Sequence, residues 1–115
     1  MTWQFVVLVL FLHWVFDFVF QTDYMARNKS KSVKALASHV AIYSLWGLLI
    51  GLTFTKGLLL VGFLFITHFV IDFITSKINT KLWQAQEVHW FFVSVGFDQF
   101  LHYATILWFI SYLLG

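Results

Sequence analysis

Four apolar runs divide the chain, and each is long enough to cross a lipid bilayer as a helix. They cover residues 3–21, 35–55, 57–76 and 90–114. Crossing the hydrocarbon core takes about 20 apolar residues of helix, and none of the runs alternates as a half-buried strand would. The sequence therefore predicts an all-α protein, in which residues 1–115 form a single domain folded as a four-helix transmembrane bundle.

Composition supports this prediction and removes several kinds of chemistry. Charged residues make up 10% of the chain, whereas soluble domains carry about 25%. The absence of cysteine excludes disulfides, thiolate metal sites and thiol nucleophiles. The first run follows no basic segment and precedes no small-residue cleavage site, so we expect a retained span and not a signal peptide.

The distribution of Lys and Arg predicts the direction of the spans. The basic residues of the first and third connections are Arg27, Lys29, Lys31, Lys34, Lys77 and Lys81, whereas the opposite side has only Lys56. Cytoplasmic loops carry the excess of Lys and Arg. We therefore expect a multi-pass protein of the plasma (inner) membrane with both termini outside. Its expected partners are membrane lipid and, in a homo-oligomer, further copies of the chain; we expect no nucleic acid.

A weak internal repeat relates the two halves of the chain. The segment His13-Trp-Val-Phe-Asp17-Phe18 matches His68-Phe-Val-Ile-Asp72-Phe73. Each segment then leads through a basic connection into a span that contains histidine. The bundle is therefore predicted to consist of two similar helical hairpins.

Seven ionisable residues lie within the predicted spans. They are His13, Asp17, His39, His68, Asp72, Asp98 and His102. Three His–Asp pairs have i, i+4 spacing, which places both side chains of a pair on one helix face. We expect the seven to meet in the cytoplasmic half of the bundle, although Asp98 and His102 are predicted to lie deeper than the others unless the fourth helix begins late or tilts.

Three carboxylates inside a membrane indicate a function, since one Asp at mid-membrane costs about 2.5–3.5 kcal/mol on insertion scales. Imidazole and carboxylate ligands suit Zn, Mn or Fe, and carboxylates also suit Mg. All seven residues are therefore predicted ligands of one or two divalent ions. Asp98, Asp17 and Asp72 are also the candidate catalytic residues, because a carboxylate that is not a ligand can act as general base. The alternative is a set of His–Asp hydrogen bonds that only fixes helix packing.

Other polar residues are predicted to support this site. Gln21, Ser94 and Gln99 lie on or beside the faces that carry the ligands, where they could orient them. Tyr43 follows His39 by four residues, and core filling is its favoured role. The basic residues Arg27, Lys29 and Lys31 are candidates for holding an anionic substrate. Gly47 and Gly51 form a GxxxG pattern that permits close helix approach.

The residues carry a family resemblance over nearly the whole chain. The motifs are His13-x-x-x-Asp17-Phe18-x-x-Gln21-Thr22-Asp23-Tyr24-Met25-Ala26-x-x-Lys29-Ser30, His39, His68-x-x-x-Asp72-Phe73 and Asp98-Gln99-x-x-His102. This set resembles the small bacterial and phage membrane proteins grouped as domain of unknown function 3307. More loosely, the helix-borne His and Asp resemble those of membrane-bound metal-dependent hydrolases induced in DNA damage responses.

Three classes of function follow from these features. The first is a metal-dependent hydrolase acting on a phosphorylated amphiphile, in which the metal lowers the pKa of a bound water. The second is a transporter or channel for a divalent cation or a proton. The third is a non-catalytic membrane assembly protein. The polar groups stop in the inner half of the spans, and this one-sided site favours the hydrolase over a conducting path.

Overall fold

The computed structural model describes residues Met1–Gly115 and contains five α-helices and no strand. The helices are α1 (Trp3–Trp14), α2 (Asp23–Asn28), α3 (Val33–Ser44), α4 (Phe54–Gln84) and α5 (Val88–Leu114). A π-helical segment, Val15–Val19, continues α1, and a 3₁₀ segment, Leu45–Leu48, continues α3. The predicted all-α class is confirmed.

Side-chain caps fix where four of the helices begin. The hydroxyl oxygens of Thr2, Thr22, Ser32 and Thr53 each accept a hydrogen bond from a backbone N–H in the first turn that follows. Ser and Thr are favoured at this position because their oxygen replaces a missing backbone acceptor. Thr53 thereby begins α4 ahead of Lys56, so Lys56 lies in the first turn of this helix and not in a separate turn.

The helix bounds differ from the apolar runs at both ends of the molecule. The helix of the first run ends at Val19, that of the second begins at Val33 and ends at Leu48, and that of the fourth begins at Val88. The third run was expected to end at residue 76, yet α4 continues to Gln84 because no Pro or Gly interrupts it. Lys77 and Lys81 are therefore helical, and the connection to α5 consists only of residues 85–87.

This longer hairpin corrects the expected depth of Asp98. Asp98 lies ten residues after the start of α5, and Asp72 lies twelve residues before the end of α4. Because both helices rise about 1.5 Å per residue, these two carboxylates lie at similar distances from the connection, one on each helix of the hairpin. The fourth helix does not have to begin late or tilt for its ligands to reach the others.

An apolar core fills the end of the bundle away from the basic connections. Its buried members are Val9, Tyr43, Trp46, Ile50, Leu60, Leu64, Ile106, Ile110 and Leu113. Gly47 lets the 3₁₀ segment approach α4 closely, since a Cβ there would lie 3.2 Å from Leu60 Cγ. The GxxxG pattern does not act as one helix face, because Gly51 lies beyond the helix with φ +81°.

The molecule has an apolar exterior around a partly polar interior. Large apolar side chains are exposed along every long helix, among them Trp3, Phe11, Phe54, Ile66 and Trp108. By length and composition, one helix, Phe54–Gln84, is able to cross a membrane, and Trp3–Val19 is apolar but shorter. The principal extents are 45 × 27 × 20 Å.

Candidate metal centre

All seven predicted ligands are buried and come together between the helices. His13, Asp17, His39, His68, Asp72, Asp98 and His102 are each at most 7% exposed. They lie on α1 and its π segment, α3, α4 and α5, so four separate segments of the chain contribute. The i, i+4 spacing predicted this convergence, since each pair occupies one helix face.

The π segment positions Asp17. The amide of Phe20 donates to the carbonyl of Val15 at 3.0 Å, which is the wider i→i+5 pattern. Such π turns are rare and occur frequently at functional sites. The π turn could not be predicted from the sequence, because the i, i+4 spacing of His13 and Asp17 also matches an ordinary α-helix.

Four residues from three segments form the first possible ligand group. Asp17, His39, His68 and Asp72 each offer one ligand atom, and these atoms lie within 4.8 Å of one another. Nε2 of His39 is 3.0 Å from Oδ1 of Asp17 and 3.6 Å from Oδ2 of Asp72. Nε2 of His68 is 3.4 Å and 3.0 Å from the same two oxygens. Two nitrogens and two oxygens thus surround one point.

The second group shares Asp72 with the first. It consists of Asp72, Asp98 and His102. Nε2 of His102 is 3.2 Å from Oδ1 of Asp72 and 3.4 Å from Oδ1 of Asp98. Asp72 therefore directs Oδ2 to the first group and Oδ1 to the second, so that one carboxylate belongs to both groups.

These donors fit divalent ions in type and spacing. In a tetrahedral zinc site with bonds of about 2.0–2.2 Å, neighbouring ligand atoms lie about 3.3–3.6 Å apart. Two of the four His–Asp distances of the first group, 3.4 and 3.6 Å, lie in that range, and the other two are hydrogen-bonding distances of 3.0 Å. One detail differs from most metal-binding histidines, whose other nitrogen has a hydrogen-bond partner: Nδ1 of His68 is buried without one.

His13 was predicted as a ligand, but it belongs to neither group. Its Nδ1 lies 2.7 Å from the Tyr43 hydroxyl and its Nε2 lies 2.8 Å from Oε1 of Gln99. The amide of Gln99 donates to Oδ2 of Asp98 at 3.0 Å, so its oxygen faces His13 and accepts from Nε2–H. Both ring nitrogens of His13 thus have a hydrogen-bond partner within the protein, and its role as a metal ligand stays a prediction.

The supporting residues differ in part from those predicted. Gln99 links His13 to Asp98 as described, whereas no hydrogen bond joins Ser94 to the cluster. Gln21 lies beyond the end of the π segment, and its Oε1 is buried without a partner. Sequence reasoning missed Thr75, whose hydroxyl donates to Oδ1 of Asp98 at 2.6 Å. Thr75 follows Asp72 by three residues, and this spacing could have indicated that both lie on the same face of α4.

A lysine enters the cluster from the basic connection. Nζ of Lys29 donates to Oδ2 of Asp72 at 3.2 Å, and the Lys29 side chain is 22% exposed. Burial disfavours its charge, but Asp72 and Asp17 outweigh that effect and raise the pKa of Lys29 above its ordinary value. The predicted anion-binding residues Arg27 and Lys31 do not reach the cluster and line a cleft beside it instead.

The fold and the site together define an all-helical protein with a buried His/Asp cluster that could bind metal. Residues 5–114 match the model of the family described as "Protein of unknown function (DUF3307)", and the chain belongs to this family. The predicted family membership is thus confirmed. No curated protein and no solved structure matches the chain.

Proposed function

We propose that the protein is a membrane-embedded hydrolase that uses two divalent metal ions and acts on a phosphorylated amphiphile. The proposal has three parts, which are the membrane location, the metal centre and the reaction. Its single strongest support is the position of Asp72, whose two oxygens face two separate groups of ligands.

The apolar exterior supports four spans of the plasma membrane. On α5 the buried residues include Asp98 and His102, whereas Phe92, Phe97 and Trp108 on the outer side are more than half exposed. A soluble helix has the reverse arrangement, with its charged face toward water. The long dimension of 45 Å also approximates a bilayer with its headgroup regions, about 40–45 Å.

The basic residues support an orientation with both termini outside. Lys77 and Lys81 occupy the last turns of α4, and Arg27 and Lys31 lie across the same cleft. Lys56 alone lies at the opposite end, in the first turn of α4. Because Lys and Arg are enriched on the cytoplasmic side, the His/Asp cluster then lies nearer the cytoplasmic surface.

A two-ion centre suits hydrolysis of a phosphate ester. Bound divalent ions stabilise the attacking and leaving oxygens of an in-line displacement and lower the pKa of a coordinated water. Asp72 would bridge the ions, while Thr75 and Gln99 fix the carboxylate of Asp98 through its two oxygens. Zn, Mn, Fe and Mg all accept some combination of these ligands.

The apolar core favours hydrolysis over transport. From the level of Tyr43 to the far end, the interior is filled by side chains such as Trp46, Leu60 and Ile110, all buried completely. An ion that left the cluster in that direction would find no ligands and would meet the full cost of hydrocarbon. A dead-ended site of this kind is accessible from one side only.

A non-catalytic packing role is the second candidate, because the cluster is already cross-linked without an ion. The hydrogen bonds of His39 to Asp17, of His102 to Asp72 and of Lys29 to Asp72 tie the helices to one another. Such a network stabilises a unique arrangement of helices whether or not metal binds. Metal content therefore separates the two candidates.

The test is hydrolysis by the purified full-length protein loaded with Zn, Mn, Fe or Mg. We expect phosphate release from a panel of phosphorylated amphiphiles, and we expect Asp98→Asn to abolish it. Asp23→Asn is the matched control, since Asp23 is exposed in α2 and contacts none of the ligands. Metal-dependent ion flux into sealed proteoliposomes without hydrolysis would indicate transport instead, and protein that binds no metal would indicate the packing role.

A further inference from the structure

We propose that a two-part cleft beside the cluster binds a terminal phosphate group, a phosphomonoester dianion, at the head of an amphiphile. The inference assigns a phosphate site to residues of α4, Lys77 and Lys81, together with Arg27 and Lys31. That the ligand is a substrate rests on the proposed function, whereas its binding to the cleft does not. The cleft has a basic part and a partly aromatic part.

The basic part of the cleft is lined only by polar and cationic residues. Its volume is about 490 Å³, and its lining residues are Arg27, Ser30, Lys31, Lys77, Thr80, Lys81 and Gln84. Four of these seven carry a positive charge, and none is acidic. Four cations around one space repel one another, and this repulsion is relieved when an anion lies between them.

No carboxylate of the protein lies within ion-pair distance of these four cations. Every ion pair of the chain involves a histidine or Lys29. Lys77 is held in place by other means, since its Nζ donates to the Ser30 carbonyl at 3.1 Å and lies 4.0 Å above the Phe73 ring. A fixed lysine without a counter-ion is well prepared for an external anion.

The second part of the cleft continues the first and is partly aromatic. It has a volume of about 560 Å³ and is lined in addition by Trp83, Phe91 and Phe92. Arg27, Ser30, Thr80 and Gln84 line both parts. The cleft therefore offers cations at one end and an apolar wall at the other, which suits a ligand with a charged head and a hydrocarbon chain.

Unpartnered polar atoms also line this second part. Oγ of Ser76 and Oδ1 of Asn79 are buried without a hydrogen-bond partner, and both residues line the cleft, but only the Ser76 hydroxyl is a donor. Buried polar atoms normally have partners, and the Ser76 hydroxyl can donate to a phosphate oxygen. Ser76 lies one helical turn from Asp72, so this donor is between the cations and the cluster.

Lys29 connects the cleft to the metal centre. It lines the second part of the cleft and also donates to Oδ2 of Asp72 at 3.2 Å. A phosphate held by the cleft would therefore lie beside the one cation that contacts the bridging carboxylate. This position is what a phosphorylated substrate of the cluster requires.

The excess of cations selects the charge of the ligand. A phosphomonoester carries about −1.5 to −2 charges at pH 7. A phosphocholine headgroup has a single negative charge and a quaternary ammonium, which four surrounding cations would repel. The cleft should therefore prefer a terminal phosphate to a zwitterionic phosphodiester.

Calorimetric titration of the metal-free, full-length protein in detergent tests the proposal. The probes are decyl phosphate, decyl phosphocholine and inorganic phosphate. The wild-type protein should bind decyl phosphate at least about tenfold more tightly than decyl phosphocholine. This comparison needs no variant, and equal affinities would overturn the proposal.

Variants locate the site and separate a lipid head from free phosphate. The double variant Lys77→Gln/Lys81→Gln should weaken decyl phosphate binding at least about tenfold, whereas Lys34→Gln and Lys56→Gln, which lie outside the cleft, should not. Trp83→Ala should weaken decyl phosphate but not inorganic phosphate if the ligand is an amphiphile. If Trp83→Ala weakened the binding of both probes equally, the ligand would be free phosphate and the proposal of an amphiphile would be wrong.

The same titrations keep this inference distinct from the proposed function. Binding that persists in Asp98→Asn, together with an absence of hydrolysis in the wild type, would refute the hydrolase and support the cleft. Hydrolysis that is unchanged in Lys77→Gln/Lys81→Gln, without measurable binding to the cleft, would refute the cleft and leave the hydrolase in place.

Discussion

The ammonium of Lys29 lies 3.2 Å from Oδ2 of Asp72. The same oxygen faces His39 and His68 in the first ligand group. A lysine and a metal ion cannot both occupy the same side of this oxygen without repulsion. With Lys29 in place, one divalent ion balances the three carboxylates of the cluster. An ion in the first ligand group would have to displace the ammonium, whereas an ion in the second group would face Oδ1 of Asp72.

Lys29→Met should therefore strengthen metal binding. Hydrogen bonds to charged groups contribute about 1.5–3 kcal/mol, so we expect the affinity for an ion in the first ligand group to rise by about tenfold or more. Lys34→Met removes an exposed lysine at the same end and should leave the affinity unchanged. Metal titration of both variants measures the difference, and weaker binding in Lys29→Met would mean that Lys29 holds Asp72 in place for the ion.

Asp72→Asn and Asp98→Asn should lower the metal content to different extents. Asp72 belongs to both ligand groups, whereas Asp98 belongs to the second only. Elemental analysis should find almost no bound metal in Asp72→Asn and about half the wild-type content in Asp98→Asn. Equal losses in the two variants would contradict a two-ion centre.

Tyr43→Phe should destabilise the protein, since it leaves Nδ1 of buried His13 without its partner at 2.7 Å. A buried polar group left unsatisfied costs about 1–3 kcal/mol, so we expect a lower midpoint of thermal unfolding. Tyr24→Phe removes the same hydroxyl from a residue that is 63% exposed and should have little effect. His13 is not in either ligand group, so the metal content of folded Tyr43→Phe protein should stay near that of the wild type.

Gly47→Val should disturb the contact between the 3₁₀ segment and α4. A Cβ at Gly47 would meet side-chain atoms of Leu60, Val61 and Leu64 at 3.2–3.3 Å, and overpacking costs about 1–3 kcal/mol. Gly62→Ala, in the same region of α4, meets nothing within 4 Å and serves as the control. Comparable unfolding midpoints for the two variants would contradict this packing.

The predicted topology places Gly115 outside and Lys34 inside. The chain has no cysteine, so Gly115→Cys and Lys34→Cys each introduce a unique thiol. A membrane-impermeant maleimide applied to intact cells should label Gly115→Cys and should reach Lys34→Cys only after the cells are opened. The reverse labelling pattern would mean that the bundle has the opposite orientation, with the cluster near the outer surface.

The sequence predicted the cluster well because helix geometry is local. Spacing of four residues places His68 with Asp72 and Asp98 with His102 whatever the helices pack against. The role of His13 was not predictable in this way, because its two nitrogens are occupied by Tyr43 and Gln99 from other helices. Contacts of this kind depend on the rotation of each helix, which a single sequence does not specify.

The continuation of α4 beyond the third apolar run was not predicted, for a different reason. Residues 77–84 are rich in polar side chains, and a polar segment after an apolar run resembles a loop. Lys, Leu and Gln nevertheless favour helix, and no Pro or Gly ends it. Hydropathy indicates where a span leaves the membrane, whereas helix propensity and caps determine where the helix stops.

The length of α4 has an energetic consequence. One uninterrupted helix contains Leu60 of the apolar core, His68 and Asp72 of the cluster, and Lys77 and Lys81 of the cleft. A shift of this helix on anion binding would move both the lysines and the candidate metal ligands. Thermodynamic linkage then requires reciprocity: if an anion in the cleft tightens metal binding by some factor, metal must tighten anion binding by the same factor.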